Sequence, residues 1–553
     1  MVLLGQQGTG KTELLDRLGA DMQDNPGLLG RVMSAVTKKK SAAPMARLDL
    51  HDDPNLTVVR MVERIAHDLM RFRRVRTPRV VFALLVLALD PAEPSDGELE
   101  KQLDNFVKGK SILPARLAKL RELLAPVPEV GPWASFALSA AEQLAGSGSV
   151  TALLTGKGRG WLEDRIPTRN IMDLTRYQLG HRERVEKILC SALLADLADK
   201  WSDRRFACNC LLLLDDVDTP AGQALVGALT AAKSGPDPLL VVATSRTWRS
   251  PPVTTLDRAS HAGWLAVREK SEEPWCYPVA MPVLAPEDDG GPYGAAVHRM
   301  TGGLPRPTAL LTAATREAMN DQEFRLAVLR SGIMDGQLPE GLPHLHQLVE
   351  WSASMSVTDA EDSPQMSRAR ADDLRGELAE QLWLVGDALH PWLRRLLLWR
   401  LAGECRWDEV HERLQYSYLS RDPGAVAYHR LARVVVPDEA GHLDEVAGFL
   451  DEQFDVLDSR GWLDLFDRVT SAPNRLPLDQ RPDRLHEALV GVRGDRLATI
   501  RALTVDRWFW CDPLLDPSRV RSDDLADGLR ELSRHARSER SIFKEEAKRY
   551  ARR

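Results

Sequence analysis

The chain has 553 residues, 44% of them hydrophobic and 28% charged, with a formal net charge of -7; that length predicts about two to four globular domains rather than one core. The acidic balance leaves no general basic surface for nucleic acid, so such a role would need a local patch. No stretch reaches the roughly 18 to 20 apolar residues of a membrane span, and Lys11 and the glycines interrupt the apolar start that a signal peptide requires.

MVLL reads as a short apolar strand, followed by GQQGTGKT, which matches G-x-x-x-x-G-K-[ST] at Gly5, Gly10, Lys11 and Thr12. Glycines, Gly8 among them, let backbone N–H groups turn inward around phosphates. Lys11 would reach the β and γ phosphates and Thr12 would offer a hydroxyl to Mg²⁺. TELLDRL then places Leu14, Leu15 and Leu18 on one face of a helix whose positive end points at the anion. ARLDLHD, residues 46–52, predicts a further strand, VVRMVERIAHDLMRF an amphipathic helix, and RVVFALLVLAL, residues 79–89, a buried strand or helix. Residues 91–200 read as a mostly helical insertion, with HRERVEKILCSALLADLADKW its clearest helix and the charges of that helix on a solvated face.

LLLLDDVD, residues 211–218, predicts a strand buried on both sides in a parallel sheet. Asp215 falls at its carboxyl end, where open α/β sheets place ligands, and is the expected Mg²⁺ partner of Thr12. Asp216 is the candidate to polarise an attacking water. After a helix in TPAGQALVGALTAAK comes a second buried strand, Leu239 to Ala243, ending in Thr244, Ser245 and Arg246. Arg246 would contact a γ phosphate or hold a domain closed over it; the alternative is a solvated strand end. Of the six cysteines, Cys208 and Cys210 form CNC without a second close pair for zinc, and the set reads as buried thiols of a reducing cytosol.

Together these motifs resemble the signal-transduction ATPases with numerous domains, the group of the NACHT, NB-ARC and MalT-like proteins. The doubled acid of LLLLDDVD, the strand ending ATSR and the TGGLPRP element, residues 301–307, carry the resemblance. It implies a P-loop nucleotide core with a parallel α/β sheet over residues 1–275, a helical lid over 276–345 and a winged-helix-like domain over 346–403, and it reaches to about residue 420; residues 404–553 read as an all-α region from their own pattern. It implies that Pro305 packs at the adenine, with Gly303 in the preceding turn, and that residues 275–289 are the linker into the lid. LHP, residues 389–391, resembles the family's Met-His-Asp element, with proline in place of the acid; His390 would then touch the β phosphate of ADP and hold an off state. Read from the residues alone, His390 starts an amphipathic helix with Pro391 in its first turn, as a local capping or packing group.

The carboxy-terminal third reads as helical and solenoid-like without a strict repeat. Its DRWFWCD cluster reads as core, its charged tail as a solvated helix. The expected function is a cytoplasmic, ATP/ADP- and Mg²⁺-dependent switch with weak ATPase activity, controlling a protein partner or self-oligomerisation. Since the sequence opens on the phosphate loop, the output is expected from the carboxy-terminal helices or from a segment upstream. The alternatives are an AAA+-like mechanochemical ATPase, for which Arg299 or Arg306 would supply a sensor arginine, and an inactive scaffold.

Overall fold

A computed structural model describes residues 1–24, 44–51, 56–72, 75–87, 158–171, 173–201, 209–234, 237–248, 252–268, 276–286, 291–355, 368–434, 440–475, 481–490, 494–536 and 539–551. The helical insertion expected over 91–200 therefore lies outside the described residues up to 157, as does Cys208. The chain divides into two compact units: Met1–Gly5 with Gly10–Met281, and Gln6–Thr9 with Pro282–Arg553.

The first unit is built on a six-stranded sheet. Its strands are β1 (Val2–Leu4), β2 (Met45–Asp49), β3 (Cys210–Asp215), β4 (Leu239–Ser245), β5 (Thr254–Thr255) and β6 (Pro278–Ala280), in the spatial order β2-β3-β4-β1-β6-β5. Every pairing is parallel. All six residues of β3 are buried, because alternate side chains enter two different cores. Cys210, Leu212 and Leu214 join a core with helices Val58–Met70, Pro78–Leu87, Arg182–Trp201 and Pro220–Ala232. Leu211 and Leu213 join Leu3 and Leu15 of helix Lys11–Asp24 in the other.

RVVFALLVLAL resolves as a helix over its described part, with every residue of Pro78–Leu87 except Arg79 buried. Two expectations are corrected in this unit. Pro278–Ala280 is not linker but a sheet strand beside β1, in the register Leu3↔Val279. Helix Arg182–Trp201 does not carry all its charges in solvent. Asp196 is 2% exposed, and its carboxylate accepts the N–H groups of Arg79 and Val80 at 2.9 and 3.2 Å and the Arg79 guanidinium at 3.0 Å. The acid thus satisfies two otherwise orphaned donors at the start of helix Pro78–Leu87.

Among the described residues, the regular structure of the second unit is helical except for a two-stranded antiparallel hairpin, β7 (Leu384–Val385) and β8 (Ala388–Leu389), turned by Gly386 at φ +61°. Aspartates start several of its helices. Asp422, Asp458 and Asp495 each accept the N–H three residues on, at 3.1, 2.7 and 2.8 Å, which accounts for the helix starts at Pro423, Ser459 and Arg496. Buried indoles donate to backbone carbonyls, Trp407 to Ala432 and Trp508 to Ala472. The expected helix pair is present as Trp407–Tyr418 and Pro423–Ala432, joined by a 3.0 Å contact between the Nδ1 atoms of the buried His411 and His429. Trp508, Phe509 and Trp510 are all buried, as expected of core. The tail helix Arg540–Ala551 is solvated on one face only, since Phe543, Ala547 and Tyr550 are buried. Cys405, expected buried, is exposed.

Replacing Asp196 by Ala should destabilise the first unit by about 3 kcal/mol, because it leaves two helix-start donors without their acceptor and takes from the Arg79 guanidinium the more buried of its two carboxylates, Asp199 at 3.0 Å remaining. Urea titration of the variant against the parent measures this, and an unchanged midpoint would contradict the role given to Asp196.

Candidate functional site

The loop after β1 turns through Gly8 at φ +91° and Gly10 at φ +81°, values that side chains other than glycine rarely take. A Cβ on Gly10 would meet nothing within 4 Å, so the need for glycine there is conformational. The first helical hydrogen bond runs from Leu14 N–H to Gly10 O at 3.0 Å. The N–H groups ahead of it have no acceptor within the helix, which suits a bound anion.

Lys11 is the first residue of that helix and only 7% exposed. Its ammonium donates to Gly5 O at 2.7 Å. Burial pulls its pKa down to about 8, against the opposing pull of Asp216, Asp218 and Asp215. Thr12, next along, is exposed; among the described residues no hydrogen bond joins it to Asp215.

The acids are set by β4, which lies between β1 and β3. Thr244 is opposite Leu3 in the β1 pairing. Its hydroxyl donates to Asp215 Oδ1 and accepts the N–H of Asp216 at 2.9 Å. One buried hydroxyl therefore ties the Asp215 carboxylate to the backbone of Asp216. Asp215 is 3% exposed. Asp216 takes φ +56°, a left-handed conformation uncommon outside glycine and frequent at functional sites. Burial raises its pKa; Arg246 opposes this most strongly, while Asp215 and Asp218 add to it. His51 Nδ1 lies 3.9 Å from its Oδ2.

Arg246 follows β4, and Asp218 holds it: the carboxylate accepts its backbone N–H at 3.1 Å and its Nε–H at 3.0 Å. Reaching a phosphate would mean exchanging that partner. Asp218, His51 and the bridging role of Thr244 were missed by the sequence reading. The spacing of Asp218 three residues beyond Asp215, in the turn that Val217 closes by donating to Thr244 O at 2.9 Å, was the available signal for the first.

The remaining expected residues belong to the second unit. Pro305 opens helix Pro305–Ala314 in its first turn. Gly302 and Gly303 before it take φ +61° and +77°. His390 caps helix Pro391–Gly403, its Nδ1 accepting the Trp392 N–H at 3.3 Å. Its ring lies against the Gly302 turn so closely that a Cβ on Gly302 would sit 2.7 Å from Cε1. His390 and the GGLP element are thus brought together, and the capping reading of His390 holds. Within the same unit, Gly8 O accepts the Arg306 N–H at 2.9 Å, and the Gln6 side-chain amide donates to Leu382 O. Arg299 donates to the carbonyls of Trp510, Asp516 and Pro517, each at 3.1 Å.

No protein-family model, curated protein or solved structure matches the chain.

Burial pulls the pKa of His390 down to about 4, below the value of about 6.5 for an unfolded histidine. The folded value being the lower, the associated stability is complete above pH 6.5 and is lost as pH falls toward 4. Burial pulls His429 to about 3 in the same direction. Urea titrations should show the second unit losing on the order of 3 kcal/mol for each of the two histidines between pH 7 and pH 4, about 6 kcal/mol together. His390→Asn, which keeps a capping acceptor without titrating, should flatten the slope.

Proposed function

We propose that the chain is a switch that binds Mg-ATP and ADP on the first unit, with slow or regulated hydrolysis, and controls a protein partner or its own oligomerisation. The observation that carries this reading is the convergence of a buried ammonium, Lys11, and two carboxylates, Asp215 and Asp216, at the carboxyl ends of the parallel strands β1 and β3 on either side of β4, beside a loop with two left-handed glycines. That donor set fits the group: cations and loop N–H groups for phosphates, acids for a divalent cation. Magnesium commonly takes one or two carboxylates plus phosphate oxygens rather than a full protein cage.

In this reading Gly5, Gly8 and Gly10 shape the loop backbone, Lys11 neutralises phosphate charge, and Thr12 with Asp215 holds the cation site. Asp216, whose carboxyl is made more basic by burial, accepts a proton from water. Arg246 moves from Asp218 to the γ phosphate. The bound cation supplies charge neutralisation at the transferred group. The family resemblance would assign Pro305 to the adenine and His390 to retention of ADP, and would make residues 346–403 a winged-helix-like module; cysteines read as free thiols suit a cytoplasmic protein. The mechanochemical alternative loses one of its candidate sensor arginines, since the Arg299 guanidinium is spent on three backbone carbonyls.

Lys11→Ala should weaken binding of a fluorescent ATP analogue by at least about thirtyfold, the loss of a charge-assisted contact to phosphate. Retained affinity would defeat the site assignment. His390→Ala should lower the affinity for ADP relative to ATP several-fold in the same assay, and an unchanged ratio would remove His390 from the switch.

A further inference from the structure

In sequence the charged tail mixes its signs, with Glu531, Glu539, Glu545 and Glu546 set among arginines and lysines. The fold sorts them. Phe543, Ala547 and Tyr550 of helix Arg540–Ala551 are buried, and that helix packs along helix Ser522–Leu532. This leaves Arg540, Lys544 and Lys548, four residues apart, in one row, each step rising about 6 Å along the helix. Arg530, in the last turn of the neighbouring helix, and Arg534, just past its end, share a groove of about 460 Å³ with that row; the buried Ser533 completes the lining. None of the four glutamates lines the groove, and Glu546 pairs instead with Arg549 at 2.6 Å.

All five cations of the groove are exposed, and they are little neutralised. Arg530 pairs with Asp527 at 2.5 Å, and Arg540 Nε donates to Ala536 O at 3.1 Å. Among the described residues no carboxylate lies within ion-pair distance of Arg534, Arg540, Lys544 or Lys548. The undescribed residues that flank the groove in sequence, Arg537, Ser538, Arg552 and Arg553, include no acid. Like charges four apart on a helix oppose one another, and a concave wall of one sign concentrates its field. A multivalent anion offsets the repulsion and is drawn by the field.

We propose that this groove binds a compact anion bearing several phosphate groups. Its volume is that of a small-molecule site. Lysine ammoniums and arginine forks both suit phosphate oxygens, and five cations in one groove are more than a single phosphate engages. Two larger polyanions fit less well. Single-stranded nucleic acid calls for aromatic side chains on which bases stack, and none lines the groove. An anionic membrane calls for apolar groups to enter it, and Phe543, Ala547 and Tyr550 lie in the core. The inference does not depend on the nucleotide reading.

The test uses the full chain and inositol hexakisphosphate as the probe, with inositol as its neutral counterpart, in isothermal titration calorimetry. We expect saturable one-site binding of the hexakisphosphate and none of inositol. Lys544→Gln combined with Lys548→Gln should weaken the probe at least about tenfold, with an unchanged unfolding midpoint because both side chains are exposed. Arg549→Gln removes a charge from the same helix outside the groove, and Lys11→Ala one from the phosphate loop; both should bind the probe as the parent does. Absence of saturable binding, an equal loss in Arg549→Gln, or a loss in Lys11→Ala with retention in the double lysine variant would each overturn the proposal. Tighter binding of a short DNA duplex or of phosphatidylserine vesicles, abolished by the same lysine substitutions, would overturn it as well, since the groove would then serve a different partner.

Discussion

The chemistry of the first unit depends on β4 being hydrogen-bonded on both sides. Its pairing with β1 sets Leu4 opposite Ser245, and its pairing with β3 sets Leu214 opposite Ala243. Those two registers bring the end of the phosphate-loop strand and the end of the acidic strand to one level, with the Thr244 hydroxyl between them. A slip of one residue would turn Thr244 to the other face of the sheet. Asp215, nearly inaccessible to water, would then lose the hydroxyl that satisfies it, and Asp216 the acceptor for its backbone N–H. The apolar side chains of β3, divided between two cores, oppose such a slip. The packing of leucines and the placing of carboxylates are therefore the same constraint.

The second unit is held by a different economy, in which long polar side chains close backbone groups that helices leave open. Arg299 and Arg394 each satisfy carbonyls distant in sequence, and aspartates close helix starts. Each cap contributes about 1 kcal/mol, so together they matter on the scale of a domain's net stability.

The residues that bind the sheet together were largely legible in the sequence, since runs such as LLLL followed by acids have few other physical uses. The strands β5 and β6 were not. Two or three residues of ordinary composition become strand only because a neighbour offers hydrogen bonds, and runs of that length carry no readable period. Asp196 was misassigned for a related reason: on a charged helix, a buried acid looks the same as a solvated one until its partner, 117 residues away, is known. Among the site residues, the phosphate loop and the doubled acid follow from local spacing. The Arg246–Asp218 pair and the bridging of both acids by Thr244 depend on the strand order, which no local pattern encodes. The capping of a helix by His390 was readable from the His-Pro pair; its seat on the Gly302 turn was not, because 88 residues separate glycine from histidine (390 − 302).

That seat has a consequence for how the sequence can drift. The imidazole occupies the volume that a side chain at position 302 would need, so the two positions are mutually exclusive for bulk. While the histidine is kept, position 302 is confined to glycine by space as well as by its left-handed backbone. Should the ring be lost, the steric half of that restriction disappears, and Asn or Asp, which tolerate the backbone, become admissible. Positions 302 and 390 should therefore change together across descendants of this chain, as a linked pair of characters rather than two independent ones.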